Sequence, residues 1–345
     1  RDNKVNNRKY NLVEEEIKRE IKKSNEQLNI LNYYLQILED SKELLTNYLN
    51  YANLSIQNVN EIETKDEKLI RAKNIYLDFN TYGYTKEYLN EVVEQYNDFI
   101  NYHFNIDFNG RTTNDDIYDF YDTSYGDPNV RNIKDSESHS THVSGIISGN
   151  RQNESGSKGI NNLVEIMALR AIPNGDEYDK DVARAIRYAV DNGARIINGS
   201  FGKYFSSNPE WVIDAIRYAS ENNVLVIAAA GNESKDLDSI SNDNYPNDQF
   251  FNKDEFSDTF IKVGASSINL NENFTAYFSN YGKINVDIFA PGVDIFSSMP
   301  GNKYKSQSGT SMASPVVAGI ASLIMSYFPK LSAKKVKEII LESGI

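Results

Sequence analysis

The sequence contains no cysteine, which excludes disulfides, thiolate zinc sites and a cysteine nucleophile. It has only three histidines and one tryptophan, and no proline before Pro128. Cations are in the minority: 36 Lys and Arg against 49 Asp and Glu, a net charge of −13. Nucleic acid binding needs clustered Lys and Arg to neutralise phosphate, so no nucleic-acid partner is expected. No run approaches the roughly 20 apolar residues of a membrane-spanning helix. The opening "RDNKVNNRKY" lacks the apolar core of a signal peptide and does not start with Met, so the chain reads as a processed or excised piece. What remains is 345 residues, 40% hydrophobic and 25% charged, enough for two domains or one large domain with an insertion.

The chain has two textures. Residues 1–103 are rich in Asn, Glu, Lys, Leu and Tyr. A 4-3-4-3 step lands on Ile17, Ile21, Ser24, Leu28, Leu31, Leu35, Leu38, Lys42, Leu45 and Leu49. That seam predicts one long amphipathic helix. After the polar break "SIQNVNEIETKDEK" a second helical region starts near Lys68, is interrupted around Gly83, and resumes with a stripe from Tyr88 to Ile100. Together these predict an N-terminal antiparallel helical arm whose stripes pack against each other. From residue 104 to 345, short apolar runs alternate with helical patterns. "VEIMALRAI" (164–172), "ARIINGS", "VLVIAAA" (224–230) and "IKVGASSI" (261–268) read as strands. Helices are expected over "DKDVARAIRYAVDNG", "PEWVIDAIRYASENN", Ser311–Phe328 and Ser332–Glu342. Such alternation predicts an α/β fold, a parallel sheet with helices on both faces.

Three segments sit where strands end or helices begin, which is where open α/β sheets place sites. In "SHSTHVSG" (138–145), His139 and His142 lie three residues apart. Two ligands do not make a zinc site, the embedded Glu of H-E-x-x-H is missing, and nothing in the spacing recruits His103, so a metal is not expected; buried structural histidines fit as well. In "AAAGNES" (228–234), Asn232 is either a turn residue or an amide donor for a developing oxyanion. In "GTSMASPVVAGIASLI" (309–324), Ser311 opens a helix, where unpaired N–H groups favour negative charge; a plain N-cap is the ordinary alternative.

Taken together and in this order, these segments resemble the subtilisin-like serine peptidases, the subtilases. "SHSTHVSG" is similar to their His motif, "GTSMASPVVAG" to their Ser motif, "AAAGNES" to their oxyanion segment, and "NGSFG" (198–202) to the strand that pairs with substrate backbone. The resemblance runs from about Asp127 to Ile345. It implies a subtilisin-like three-layer fold, a secreted or extracytoplasmic serine endopeptidase, and a peptide or protein substrate. His139 would be the general base, His142 a packing residue, Ser311 the nucleophile and Asn232 an oxyanion donor. Ser200, Phe201 and Gly202 would line the substrate edge. A Ser hydroxyl needs a base of pKa near the working pH, and an oxyanion gains most from fixed donors. Ser140 stands where the family has Gly, and Glu233 would lie at the rim of the P1 pocket. The oligomeric state is left open.

A triad also needs a carboxylate behind the histidine. Asp107 in "FNIDFNG" is the nearest candidate, but its surroundings read as helix end and loop. Asp115, Asp116, Asp119 and Asp122 lie in a Tyr-rich polar loop and suit the role less. Some subtilases carry a long helical insertion between their Asp and His motifs. On that resemblance residues 1–103 are the insertion, residues 104–345 a catalytic domain incomplete at both ends, and the triad Asp lies upstream of residue 1. In a subtilisin, losing that Asp costs about 3 × 10⁴ in kcat, so the isolated chain is expected to be nearly inactive. No cofactor is expected. Calcium is common in the family, and the loop 148–159 occupies the place of a calcium loop, but Asn153 and Glu154 there show no EF-hand spacing. Two alternatives stay open at this point: a catalytically impaired pseudoprotease or binding module using the arm, and a metal protein using His139 and His142.

Overall fold

The computed structural model describes residues 2–344 except 51–53, 82–83, 133–136, 153, 155, 173–174, 176, 240, 250–253 and 269–273. The expected helix interruption at Gly83 and the loop residue Asn153 lie outside the described residues. The chain divides into two compact units, Arg1–Arg111 with Pro173–Asp176, and Thr112–Ile172 with Glu177–Ile345.

The first unit is helical: α1 (Asp2–Leu49), α2 (Ile56–Asn60), α3 (Glu67–Thr81), α4 (Lys86–Asp98) and a π-helical turn Phe99–His103. The seam along α1 is real, with Ser24, Leu28, Leu38 and Leu45 buried; near its C-terminal end Ser41 rather than Lys42 turns inward, its hydroxyl donating to the Ile37 carbonyl. Leu38 and Leu45 pack with Val59, Ala72, Tyr76 and Leu89. Tyr34 meets Phe79 edge-on, while Ile17 and Ile21 share a cavity with Ile100 and Phe104, so α3 and α4 run back along α1. The polar break holds one turn of helix, because Ser55 and Asn58 cap it reciprocally.

The second unit is built on four parallel strands in the order β1 (Ile196–Gly199), β2 (Leu225–Ala229), β3 (Phe260–Ser266) and β4 (Ile288–Pro291). Side chains alternate across this sheet. Leu225, Ile227, Ile261, Val263 and Ala265 pack on one face with α8 (Thr310–Tyr327) and α9 (Ala333–Glu342). Val224, Val226, Ala228 and Phe260 pack on the other with α6 (Asp179–Asp191) and α7 (Pro209–Glu221). The period of two thus sends neighbouring residues into separate cores, giving helix, sheet and helix layers. The helix α5 (His139–Ser148) packs through Val143 and Ile146 on Met312 of α8 and beside a hairpin of β5 (Ile295–Met299) and β6 (Lys303–Gln307). By length and apolarity α8 could cross a membrane, but most of it is buried in this core.

One expected strand does not form. Residues 164–172 are irregular, and Ile166, Met167 and Leu169 are exposed. Apolarity alone does not make a strand: each N–H and C=O needs a ladder partner, and among the described residues none pairs with this segment. The hairpin β5–β6 was not expected, since its strands are short and half exposed.

Candidate active site

Ser311 is the second residue of α8. Its hydroxyl donates to the Ser200 carbonyl at 3.1 Å, and the Ser200 hydroxyl donates back to the Ser311 carbonyl at 2.8 Å. Pro315 accounts for the second bond. It sits within α8 with no N–H, so the carbonyl four residues earlier, that of Ser311, has no helical donor. Ser200 supplies one. Ser200 in turn accepts from Asn198 Nδ2 at 2.9 Å, and Asn198 Oδ1 accepts from the Ser314 hydroxyl at 2.7 Å. The end of β1 and the first turns of α8 are therefore stitched by four polar side chains.

Asn232 follows Gly231, which has φ +100° at the end of β2. The Thr310 N–H (2.8 Å) and the Thr310 hydroxyl (3.0 Å) both donate to Asn232 Oδ1. The Gly231 N–H donates to the same hydroxyl at 3.0 Å. With its oxygen taken, the Asn232 amide is fixed in one orientation, and among the described residues no protein acceptor takes its Nδ2. Glu233 turns its carboxylate back into the loop, accepting from its neighbour's N–H at 2.8 Å, from Asn280 Nδ2 at 3.1 Å and from the Tyr204 hydroxyl.

His139 is the first residue of α5, with Ser140 in the same turn at an ordinary helical φ, so the Ser is accommodated there. His139 is an exposed residue, yet protein atoms surround its imidazole closely enough to desolvate it. That desolvation, and then the neighbouring His142, hold its pKa below the ordinary histidine value. No carboxylate is among the groups that shift it. Ser311 is bonded to Ser200 and not to His139 in this structure. His142 is wholly buried, donates from Nε2 to the Lys305 carbonyl at 3.0 Å, and has its own carbonyl taken by Ser297. It is sealed from ligands by its packing. Among the described residues no group of three or more His, Asp or Glu is placed to hold a metal ion.

Phe201 packs on the α6–α7 side of the sheet. The Gly202 N–H donates to Glu177 at 3.2 Å, and Lys203 pairs with Tyr245 in an antiparallel bridge. Asp107 lies in the first unit, on a turn where its N–H donates to Asn105. Asp115 is committed elsewhere: it forms an ion pair of 2.5 Å with Lys180, both side chains buried. Asp116, Asp119 and Asp122 each accept from the N–H two residues on, a run of Asx turns. The sequence reading missed Asn198, Ser314, Thr310 and Asn280. An Asn inside an otherwise apolar strand, as at 198, is the one local signal available.

Known proteins resemble this chain. The model of the subtilase family matches residues 50–344. A thermophilic serine proteinase of Bacillus sp. (strain AK1) is 39% identical over 210 residues, covering 61% of this chain and 46% of that protein. A cell wall-associated protease of Bacillus subtilis (strain 168) is 34% identical, covering 62% of this chain and 22% of the relative. An intracellular serine protease of Paenibacillus polymyxa is 35% identical, with coverage of 59% and 58%. The chain thus spans well under two thirds of the length of these relatives. The solved structure of a psychrophilic protease, S41, superposes with a TM-score of 0.53 at 29% identity, over 64% of this chain and 72% of its own.

Proposed function

The chain belongs to the subtilase family, and from that premise we propose that it carries the Ser–His part of a serine endopeptidase that works through an acyl-enzyme. The observation that carries this reading is the tether between Asn232 and Thr310, which fixes the amide beside the first turn of α8 where Ser311 sits, with no acceptor on Nδ2 among the described residues. The Ser311 hydroxyl leaves the Ser200 carbonyl and attacks the scissile carbonyl carbon as His139 takes its proton. The oxyanion accepts from Asn232 Nδ2 and the Ser311 N–H. Collapse expels the amine, protonated by His139, and water hydrolyses the acyl ester by the same base.

The lowered pKa of His139 keeps the ring neutral and able to accept that proton. A carboxylate to orient the ring is required by this reading, and none is bonded to it among the described residues. The substrate is a peptide or protein, lying along Ser200, Phe201 and Gly202 as an added strand. An extracytoplasmic location is part of the proposal; it draws on the wall-associated relative, while the intracellular relative points the other way. A fluorophosphonate probe should label Ser311 in the full-length protein and not in Ser311→Ala. Absence of labelling in the wild type would overturn the reading.

A further inference from the structure

We infer that Asn280 is a positioning residue for the oxyanion loop, acting through Asn232; the inference rests on the function proposed above. Asn280 is wholly buried on the segment between β3 and β4, far in sequence from either end of the site. Its side chain satisfies the loop from one point. Nδ2 donates to the Ala230 carbonyl at 2.7 Å, the Tyr204 hydroxyl at 2.7 Å and Glu233 at 3.1 Å. Oδ1 accepts from the N–H groups of Glu233 at 3.2 Å and Lys235 at 2.8 Å. The Asn280 N–H donates to the Gly231 carbonyl at 2.9 Å. The loop that carries Asn232 is therefore wrapped around one amide, with groups of residues 230, 231, 233 and 235 all bonded to Asn280.

The anchor is itself fixed. The neighbouring Ser279 hydroxyl accepts from the Ala265 N–H of β3 at 2.9 Å and donates to the Asn280 carbonyl at 2.8 Å. On its far side Tyr204 closes the network onto Glu233, with the Lys235 ammonium 3.7 Å from the Tyr204 ring centre. Burial first, and then Glu233, raise the Tyr204 pKa, so its hydroxyl stays a donor. Thr310 holds the Asn232 side chain from the α8 side, and Asn280 holds the chain on either side of Asn232, at residues 230, 231, 233 and 235. An amide clamped between two rigid elements is already where an oxyanion donor must be, so no reorganisation is needed at the transition state.

The test is a cycle of Asn280→Ala and Asn232→Ala in the full-length protein, with kcat and KM read on a peptide substrate. Asn280→Ala is expected to lower kcat by about 10- to 100-fold, the scale of a misplaced catalytic group, with KM changed by less than about twofold. In the Asn232→Ala background the same substitution should lower kcat by a factor near one, since the donor it positions is gone. A merely structural Asn280 would cost the same factor in both backgrounds, and that result would overturn the inference while leaving the proposed function intact. A wild type without Ser311-dependent hydrolysis would overturn both. If Asn280→Ala does not fold, Asn280→Ser keeps one hydroxyl for the loop and goes through the same cycle. Failure of both variants to fold would assign Asn280 to stability alone and overturn the inference.

Discussion

The hydroxyls of Ser200 and Ser311 are bonded reciprocally, each donating to the other's main-chain carbonyl, at 2.8 and 3.1 Å. The bond from Ser200 replaces the helical donor that Pro315 removes from the Ser311 carbonyl. It ties the strand end expected to hold substrate to the residue expected to attack it. The first turn of α8 is thus fixed to the sheet at the point where the chemistry is proposed.

Ser200→Ala should leave the Ser311 carbonyl and Asn198 Nδ2 without their partners, at a cost of about 1–3 kcal/mol. Pro315→Ala should then restore part of that loss, because alanine supplies the missing N–H to the same carbonyl. Urea denaturation of the two single variants and the double variant measures the coupling. Equal effects of Pro315→Ala with and without Ser200 would show that Pro315 does not create the need for Ser200.

His139 should titrate below the ordinary histidine value in an NMR pH titration of this chain, because crowding by protein and then His142 disfavour the imidazolium. The sign follows directly. A base with a lowered pKa stays neutral to lower pH, so the ring of this chain takes up its proton at a lower pH than a free imidazole does. A midpoint at or above the ordinary value would mean that a carboxylate reaches the ring.

The central sheet is legible in the sequence because β2 and β3 are buried along their whole length and read as apolar runs, unbroken in β2 and interrupted by Lys262 in β3. The same rule fails at 164–172, where an apolar run finds no ladder partner and stays irregular. It fails in the other direction at β5 and β6, where "KYKSQ" carries two lysines and a glutamine and owes its strand form to pairing with 295–299. In the candidate site, His139, Asn232 and Ser311 stand out by residue type at element ends. Their supports do not. Asn198 meets Ser314 across 116 positions, and Asn280 meets Glu233 across 47, so no local period marks them.

Asp115→Asn should cost about 3–5 kcal/mol, the scale of a buried ion pair broken on one side. The Lys180 ammonium is fully buried, and among the described residues it meets, besides Asp115, the Asp116 carbonyl at 2.7 Å and the face of Tyr125, 4.5 Å from the ring centre. Without the carboxylate that charge is stranded against α6. Thermal unfolding of Asp115→Asn reads the loss. An unchanged midpoint would mean that the pair is not formed in solution.

Lys262 should make stability rise with pH above neutrality. It points from β3 to Asn244 Oδ1 at 2.6 Å and to the Pro246 carbonyl. Burial pushes its pKa down to about 7, against the pull of Asp248, Asp287 and Glu177. Between about 7 and the ordinary lysine value the unfolded chain therefore binds a proton that the folded chain does not. Unfolding becomes harder as pH rises through that window, by about 1 kcal/mol per pH unit. Asp248, raised to about 8 chiefly by burial, acts in the opposite sense and is mostly ionised in both states above that value. The slope that Lys262 adds is therefore read as the difference between wild type and a Lys262 variant. Lys262→Met should remove it, at a constant cost for the two oxygens left without a donor. Urea midpoints of wild type and variant at pH 8.5 and 9.5 decide this: the gap must widen with pH, and parallel values would mean that Lys262 keeps an ordinary pKa in the folded protein.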